Sequence, residues 1–151
     1  MDSTVFLTVL AGVLTYVIGQ LVVKLVIDPV QETRKTIGLI SHALMEHAGL
    51  IHNPGIGKEE AMDAASKELR KLSSQLQSHL YLVPLYRVTA WVFRLPSREN
   101  LLAASRHLIG LANSIHRASD RLYTVNPKRI IRICEALGIY LTATDKALAE
   151  D

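Results

Sequence analysis

Residues 3–23 read STVFLTVLAGVLTYVIGQLVV, and this stretch decides the fold because no charged side chain interrupts it. As a helix it extends about 31 Å, close to the roughly 30 Å hydrocarbon core of a bilayer. A helix in a soluble core would carry a polar face every three or four residues. Most polar residues here are threonines, whose hydroxyls can bond back to the helix backbone. The sequence therefore predicts one transmembrane helix, residues 3–27.

A cleaved signal peptide is the main alternative to an uncleaved anchor. Such a peptide begins with basic residues and ends at a small-x-small site, whereas residues 1–3 carry no basic side chain and the apolar stretch runs into Gln-Leu-Val-Val-Lys. All 17 Lys and Arg lie from Lys24 onward. The positive-inside rule thus predicts an inner (cytoplasmic) membrane protein with its N-terminus outside and the following domain in the cytoplasm. The single cysteine, Cys134, agrees with a reducing compartment.

Small residues recur along one face of the predicted membrane helix. They are spaced by four, three and four positions, and they are Thr8, Gly12, Thr15 and Gly19. Because small side chains let another helix backbone approach closely, this stripe predicts self-association into a homo-oligomer. Gln20 lies roughly 100° away around the helix. It either bonds to a neighbouring copy, lines a polar lumen, or sits at the interface one turn from Lys24.

The remaining residues, 28–151, carry helical periodicity throughout. Asp28-Pro29-Val30-Gln31 is typical of a helix start, so the membrane helix kinks or ends there. Asn53-Pro54-Gly55 stops the first helix, and a second helix opens at Glu59. The pattern predicts an all-α fold, in which the transmembrane helix precedes an antiparallel four-helix-bundle-like cytoplasmic domain with one extra short helix.

Two further long helices complete the predicted domain. The third begins at Ser97, and its apolar and small positions continue to Leu122. The fourth is capped by Asn126-Pro127 and carries Leu141 and Leu148 on its apolar face. Short linkers between these helices favour antiparallel neighbours.

The segment YLVPLYRVTAWVFRLP, residues 81–96, holds four of the aromatic side chains and predicts a short helix from about Pro84 to Arg94. Two interpretations are open. The helix either fills the core, or lies at the membrane interface with Tyr86 and Trp91 at headgroup depth and its arginines toward phosphate.

Basic residues give a net charge of +3 and a pI near 9.1, which suits an anionic membrane surface. Those predicted to bind anionic lipid or an acidic partner are Lys24, Arg117, Arg121, Lys128, Arg129 and Arg132. A solvated helix end is the alternative explanation for the cluster from 117 to 132. Nucleic acid is not expected as a partner, because Tyr123 is the single aromatic residue near the cluster.

No catalytic residue, cofactor site or metal site is predicted. His42 and Glu46 share a helix face and could hold a metal, but neither the Glu-x-x-His pair of two-iron proteins nor a His-Glu-x-x-His zinc motif occurs. Arg-x4-His, the pair used by HEPN-type ribonucleases, is also absent. The chain is therefore predicted not to be an enzyme.

The run from Gly19-Gln20 through Asp28-Pro29-Val30-Gln31 to Asn53-Pro54-Gly55 resembles a group of uncharacterised bacterial membrane-anchored helical proteins, as does Leu-Pro-Ser-Arg-Glu-Asn at residues 95–100. The resemblance covers most of the chain and implies an anchor followed by a helical cytoplasmic domain, with no assigned activity. In architecture only, the chain is similar to the HEPN-like accessory membrane protein of certain RNA-targeting CRISPR systems, which forms a pore.

Two functions follow as hypotheses. The first is a non-enzymatic single-pass membrane protein that self-associates and serves as a scaffold or binding module for a cytoplasmic protein. The alternative is a homo-oligomeric pore-forming effector in antiviral defence, with Gln20, Thr15 or Tyr16 facing the lumen.

Overall fold

A computed structural model describes residues 3–140, and every regular element within them is helical. The α-helices are α1 (Ser3–Val22), α2 (Asp28–Glu46), α3 (Ala48–His52), α4 (Glu59–Leu82), α5 (Tyr86–Phe93), α6 (Arg98–Ser114) and α7 (Asp120–Leu137). A π-helical turn, Val23–Ile27, joins α1 to α2. The predicted all-helical class and its long apolar first helix are confirmed for this part of the chain.

The first helix does not end at the predicted restart, because Ser3 to Glu46 form one continuous helix. Pro29 has no N–H, and in a regular α-helix its ring would clash with the carbonyl of Leu25. The preceding π turn accommodates it: the Asp28 N–H donates to the Val23 carbonyl, so one extra residue enters the helical turn just before the proline. The turn ends at the predicted boundary between residues 27 and 28.

Helices α2, α4, α6 and α7 enclose one hydrophobic core. Its fully buried members include Ile40, Leu69, Leu76, Leu101, Leu108, Leu111, Ile115 and Ile133. Hydrogen bonds between neighbouring helices show whether the two helices are parallel or antiparallel. On α4 and α6, Ser66 bonds to Ala112 and Ser73 bonds to Ser105, so these two helices are antiparallel.

The same argument makes α2 antiparallel to α4, because Thr36 contacts His79 and His47 contacts Glu68. The domain therefore has two ends. The α1 end holds the start of α2, the end of α4, α5 and the start of α6. The opposite end holds α3, the start of α4 and the segment between α6 and α7, separated from the α1 end by the about 27 Å length of α2.

Two predicted helix boundaries are wrong. The third long helix, α6, ends at Ser114 instead of continuing to Leu122, and α7 begins at Asp120 with Pro127 inside it. Asn126 does not cap a helix; its buried side chain donates to the Ile51 carbonyl at 2.9 Å. This tertiary contact and the packing of α7 offset the cost of an internal proline, about 3 kcal/mol. Leu141 and Leu148 lie outside the described residues.

Candidate membrane-contact surfaces

Helix α1 packs against nothing else in the described chain. None of its residues from Ser3 to Val22 is buried, and large apolar side chains such as Phe6, Leu14 and Ile18 are exposed all around it. The continuous helix that contains it is long and apolar enough to cross a membrane. This isolation distinguishes α1 from the core helices of a soluble domain, whose apolar side chains are covered.

The stripe of small residues on α1 is open. Hydroxyls bond back to the helix, with Thr8 donating to the Thr4 carbonyl at 2.8 Å and Thr15 to the Ala11 carbonyl at 2.9 Å. Beyond the backbone of its own helix, a Cβ added at Gly12 or Gly19 would meet no atom within 4 Å. Gln20 is likewise exposed. The stripe is therefore free to receive another helix, and its role in self-association stays a prediction.

Lys24 lies in the π turn, where the apolar segment meets the domain. Its ammonium forms an ion pair with the Asp28 carboxylate at 2.9 Å. Both side chains are exposed, so this pair contributes little stability by itself and leaves the ammonium accessible to other anions.

One face of α5 is fixed tightly to the domain. Ala90 and Leu95 form a small buried cluster with Val30 of α2. Arg34 donates from Nη2 to the Phe93 carbonyl at 2.7 Å, and this bond ties the end of α5 to the second turn of α2. The short helix is therefore held at the α1 end of the domain.

Hydrogen bonds close the segment around α5 on itself. The Tyr86 hydroxyl donates to the Pro96 carbonyl at 2.7 Å, and Thr89 donates to the Pro84 carbonyl at 2.8 Å. Burial raises the pKa of Tyr86 from its ordinary value of 10.0 to about 12, so the phenol stays a hydrogen-bond donor over a wider pH range. Both local bonds hold the inward face of the helix in one orientation.

The opposite face of α5 is apolar and uncovered. Val88, Trp91 and Val92 are 58%, 83% and 56% exposed, and Leu85, just before the helix, is 80% exposed. The two sequence interpretations of this segment thus apply to different residues. Tyr86 packs toward the domain, whereas Trp91 points away from it. The sequence did not lead us to predict that Val88 and Val92 face outward, although it shows that this helix has no polar face.

The predicted anion-binding residues do not form one surface. Lys24 lies at the α1 end, whereas Arg117 and Arg121 lie at the opposite end, between α6 and the first turn of α7. That placement follows from the bond between the Gly55 N–H and the Ile115 carbonyl at 2.7 Å, which ties this segment to the loop after α3. The length of α2 therefore separates Lys24 from Arg117 and Arg121.

The other basic residues lie along α7. Lys128 is exposed, Arg132 is 3.9 Å from Glu135, and Arg129 donates to the Gly110 carbonyl at 3.1 Å. Burial lowers the pKa of His107, and the charges of Arg129, Arg132 and Arg106 lower it further. Arg129 thus joins α6 to α7, and its role in binding an external anion stays a prediction.

Carboxylates and imidazoles meet where α2 passes α4. His42 Nδ1 lies 3.3 Å from Glu46, and His47 Nε2 lies 2.7 Å from Glu68. The donor atoms of Glu46, His47 and Glu68 lie within 4.8 Å of one another. These are ligands that a divalent transition metal accepts. A cation bound through these atoms would have to replace the His47–Glu68 hydrogen bond.

An apolar pocket of about 190 Å³ lies between α2 and α7. Leu44, Met45, Ile130 and Cys134 contribute to its lining, which continues to Tyr140, the last described residue. Such a lining suits an apolar group better than a charged substrate.

Comparisons with protein-family models, curated proteins and solved structures found no match.

Proposed function

We propose that this chain is a non-enzymatic single-pass membrane protein that self-associates and acts as a scaffold or binding module through its cytoplasmic helical domain. The observation that carries the proposal is that no residue of α1 is buried, beside a well-packed domain. Leaving a large apolar side chain in water costs roughly 1.5–3 kcal/mol relative to burial. Over many such side chains, only an apolar solvent or a protein partner offsets this cost, and the length of α1 matches a bilayer.

An uncleaved anchor fits better than a signal peptide. The helix continues without a break from Ser3 through the π turn into α2, whose Val30 and Ile40 belong to the buried clusters. Removing α1 at the predicted boundary would cut inside this helix. The basic residues that follow the apolar segment support a cytoplasmic location for the domain.

Self-association is supported by the open stripe at Thr8, Gly12, Thr15 and Gly19. The domain would then present several copies of its four-helix-bundle-like surface to a cytoplasmic partner. No catalytic arrangement is part of this proposal.

Membrane insertion is tested by washing bacterial membranes that contain the full chain with alkaline carbonate. We expect the chain to stay in the pellet. The variant Val13→Arg/Leu14→Arg should shift to the supernatant, because each charge at a helix centre costs about 2.5–3.5 kcal/mol on insertion. Its matched control, Val13→Ile/Leu14→Ile, should stay in the pellet. A wild-type chain that washes off would refute the proposal.

Orientation is tested with an impermeant maleimide on intact cells. Ser3→Cys should be labelled without lysis, and Lys58→Cys, in the loop before α4, should be labelled only after lysis. The reverse pattern would place the domain outside.

A pore is the alternative form of the same oligomer, with Gln20 toward a lumen. Conductance in planar bilayers that the variant Gln20→Leu abolishes would favour it. A crosslinked oligomer that shows no conductance in planar bilayers would favour the scaffold.

A further inference from the structure

Helix α5 has apolar residues on both of its faces. Its inward positions are Tyr86, Thr89, Ala90 and Phe93, and the outward ones are Arg87, Val88, Trp91 and Val92. A helix on the surface of a water-soluble domain normally presents polar side chains outward. Three of the four outward residues of α5 are apolar, so exposing this face to water is unfavourable.

The position of α5 brings this segment close to the proposed bilayer. Its contacts to Val30 and Arg34 lie on the first two turns of α2, which is continuous with α1. Val22, the last residue of α1, is only about 12 Å along the helix axis from Val30. The outward face is therefore close to the level at which the apolar segment ends.

The charge of this segment matches an anionic lipid surface. Residues 81–98 contain Arg87, Arg94 and Arg98 and no Asp or Glu. Glu99 follows directly and lines the same surface groove, so residues 81–99 carry three positive charges and one negative charge. Basic residues beside a membrane are attracted to anionic headgroups, and tryptophan favours the interface because its ring is apolar and its N–H is polar.

The backbone of Leu85 is a further indication. Its φ is +46°, in the left-handed region that disfavours side chains other than glycine, and yet its side chain is 80% exposed. Strained backbone of this kind persists where the surrounding structure holds it, and it is concentrated at functional positions. Here the strained residue is an exposed leucine that directly precedes α5.

We propose that Leu85, Val88, Trp91 and Val92 form a second membrane contact that inserts at the level of the headgroups. The inference rests on the proposed anchor. Together, α1 and α5 would hold the domain in one orientation on a bilayer that contains anionic phospholipid, with α3 and the segment between α6 and α7 facing the cytoplasm.

Trp91 is the single tryptophan of the chain, so its fluorescence reports this contact directly. The full chain is reconstituted into vesicles of phosphatidylcholine and phosphatidylglycerol, with or without brominated acyl chains that quench tryptophan. We expect bromolipid to quench Trp91 at least twofold. The matched control is Trp91→Phe/Tyr123→Trp, which moves the fluorophore to α7 and should lose most of that quenching.

The variant Leu85→Gly separates membrane contact from folding. Glycine accepts a positive φ without strain, so the thermal unfolding midpoint of the domain should stay equal or rise. Loss of the leucine side chain should nevertheless reduce bromolipid quenching of Trp91. A variant with unchanged quenching would contradict a role for Leu85.

The outcomes distinguish this inference from the anchor. If the chain resists carbonate but bromolipid quenches Trp91 no more than the Tyr123→Trp control, the second contact is refuted and the anchor stands. If carbonate extracts the chain, the proposed function fails as well. If Trp91 is shielded from aqueous iodide but not quenched by bromolipid, protein covers the face, and the lipid contact is refuted.

Discussion

Helices α1 and α6 have similar lengths, 20 and 17 residues, but opposite surroundings. Helix α6 buries residues along one face, whereas α1 buries none. Both carry small residues at helical spacing. On α6, Ser105 and Ala112 meet Ser73 and Ser66 of α4, whereas no described residue covers the stripe of α1. The same local pattern thus has its partner inside the chain in α6, whereas in α1 it stays uncovered by residues 3–140.

The largest difference is expected when a leucine is truncated in each helix. Leu108→Ala on α6 removes a fully buried side chain and should lower the free energy of unfolding by about 2–5 kcal/mol, because a cavity is left. Leu14→Ala on α1 should leave the unfolding of the domain unchanged. Thermal and urea unfolding followed by circular dichroism in mild detergent would measure both. Equal destabilisation would mean that α1 packs on the domain.

A smaller but more specific contrast comes from enlarging a small residue. Ser105→Leu forces a bulky side chain between α4 and α6 and breaks the hydrogen bond to Ser73, so we expect a loss of about 1–3 kcal/mol. Gly12→Leu has free space in the monomer and should not change domain stability.

Crosslinking in membranes gives the second half of this contrast. Gly12→Leu should reduce the yield of homo-oligomer if the stripe is the contact, whereas Val13→Leu, off the stripe, should not. A wild-type chain that is strictly monomeric after crosslinking would exclude self-association.

The smallest effect is expected from pH, at a buried contact between α2 and α4. His79 accepts or donates a hydrogen bond with the Thr36 hydroxyl at 2.8 Å, and its Nδ1 has no partner among residues 3–140. Burial lowers the pKa of His79 from its ordinary value of 6.5, and nearby Glu32 partly opposes this. As the pH falls below about 6.5, the unfolded chain therefore binds more protons at this histidine than the folded chain does. The contribution of neutral His79 to the free energy of unfolding is full above about pH 6.5. It declines as the pH falls toward the pKa of His79 in the folded chain.

Unfolding measured between pH 5 and 8 would detect this slope. His79→Gln, which keeps a hydrogen-bonding group beside Thr36, should flatten it, and the lowered pKa of His107 should account for part of what remains. His52→Gln, at an exposed position, is the control. A slope identical in wild type and His79→Gln would contradict the assignment.

The sequence predicted the helices better than their ends. The spacing of Leu69, Leu72 and Leu76 is that of one apolar helix face, and α4 buries all three in the core. Asn126-Pro127 misled the prediction, since this pair is typical of a helix start, and here Asn126 instead reaches the Ile51 carbonyl across the domain. No local pattern encodes a contact between residues so far apart in the chain.

For the candidate surfaces too, some features could be predicted from the sequence and others only from the tertiary structure. The sequence by itself determined that residues 3–23 are uncharged and long enough for a bilayer and that residues 81–96 are rich in aromatic side chains, because composition and length are local properties. Only the tertiary structure decided that Tyr86 faces inward and Trp91 outward, that α5 lies beside the start of α2, and that Arg117 and Arg121 lie far from Lys24. Exposure depends on which distant segments pack together, and that is set by the whole core.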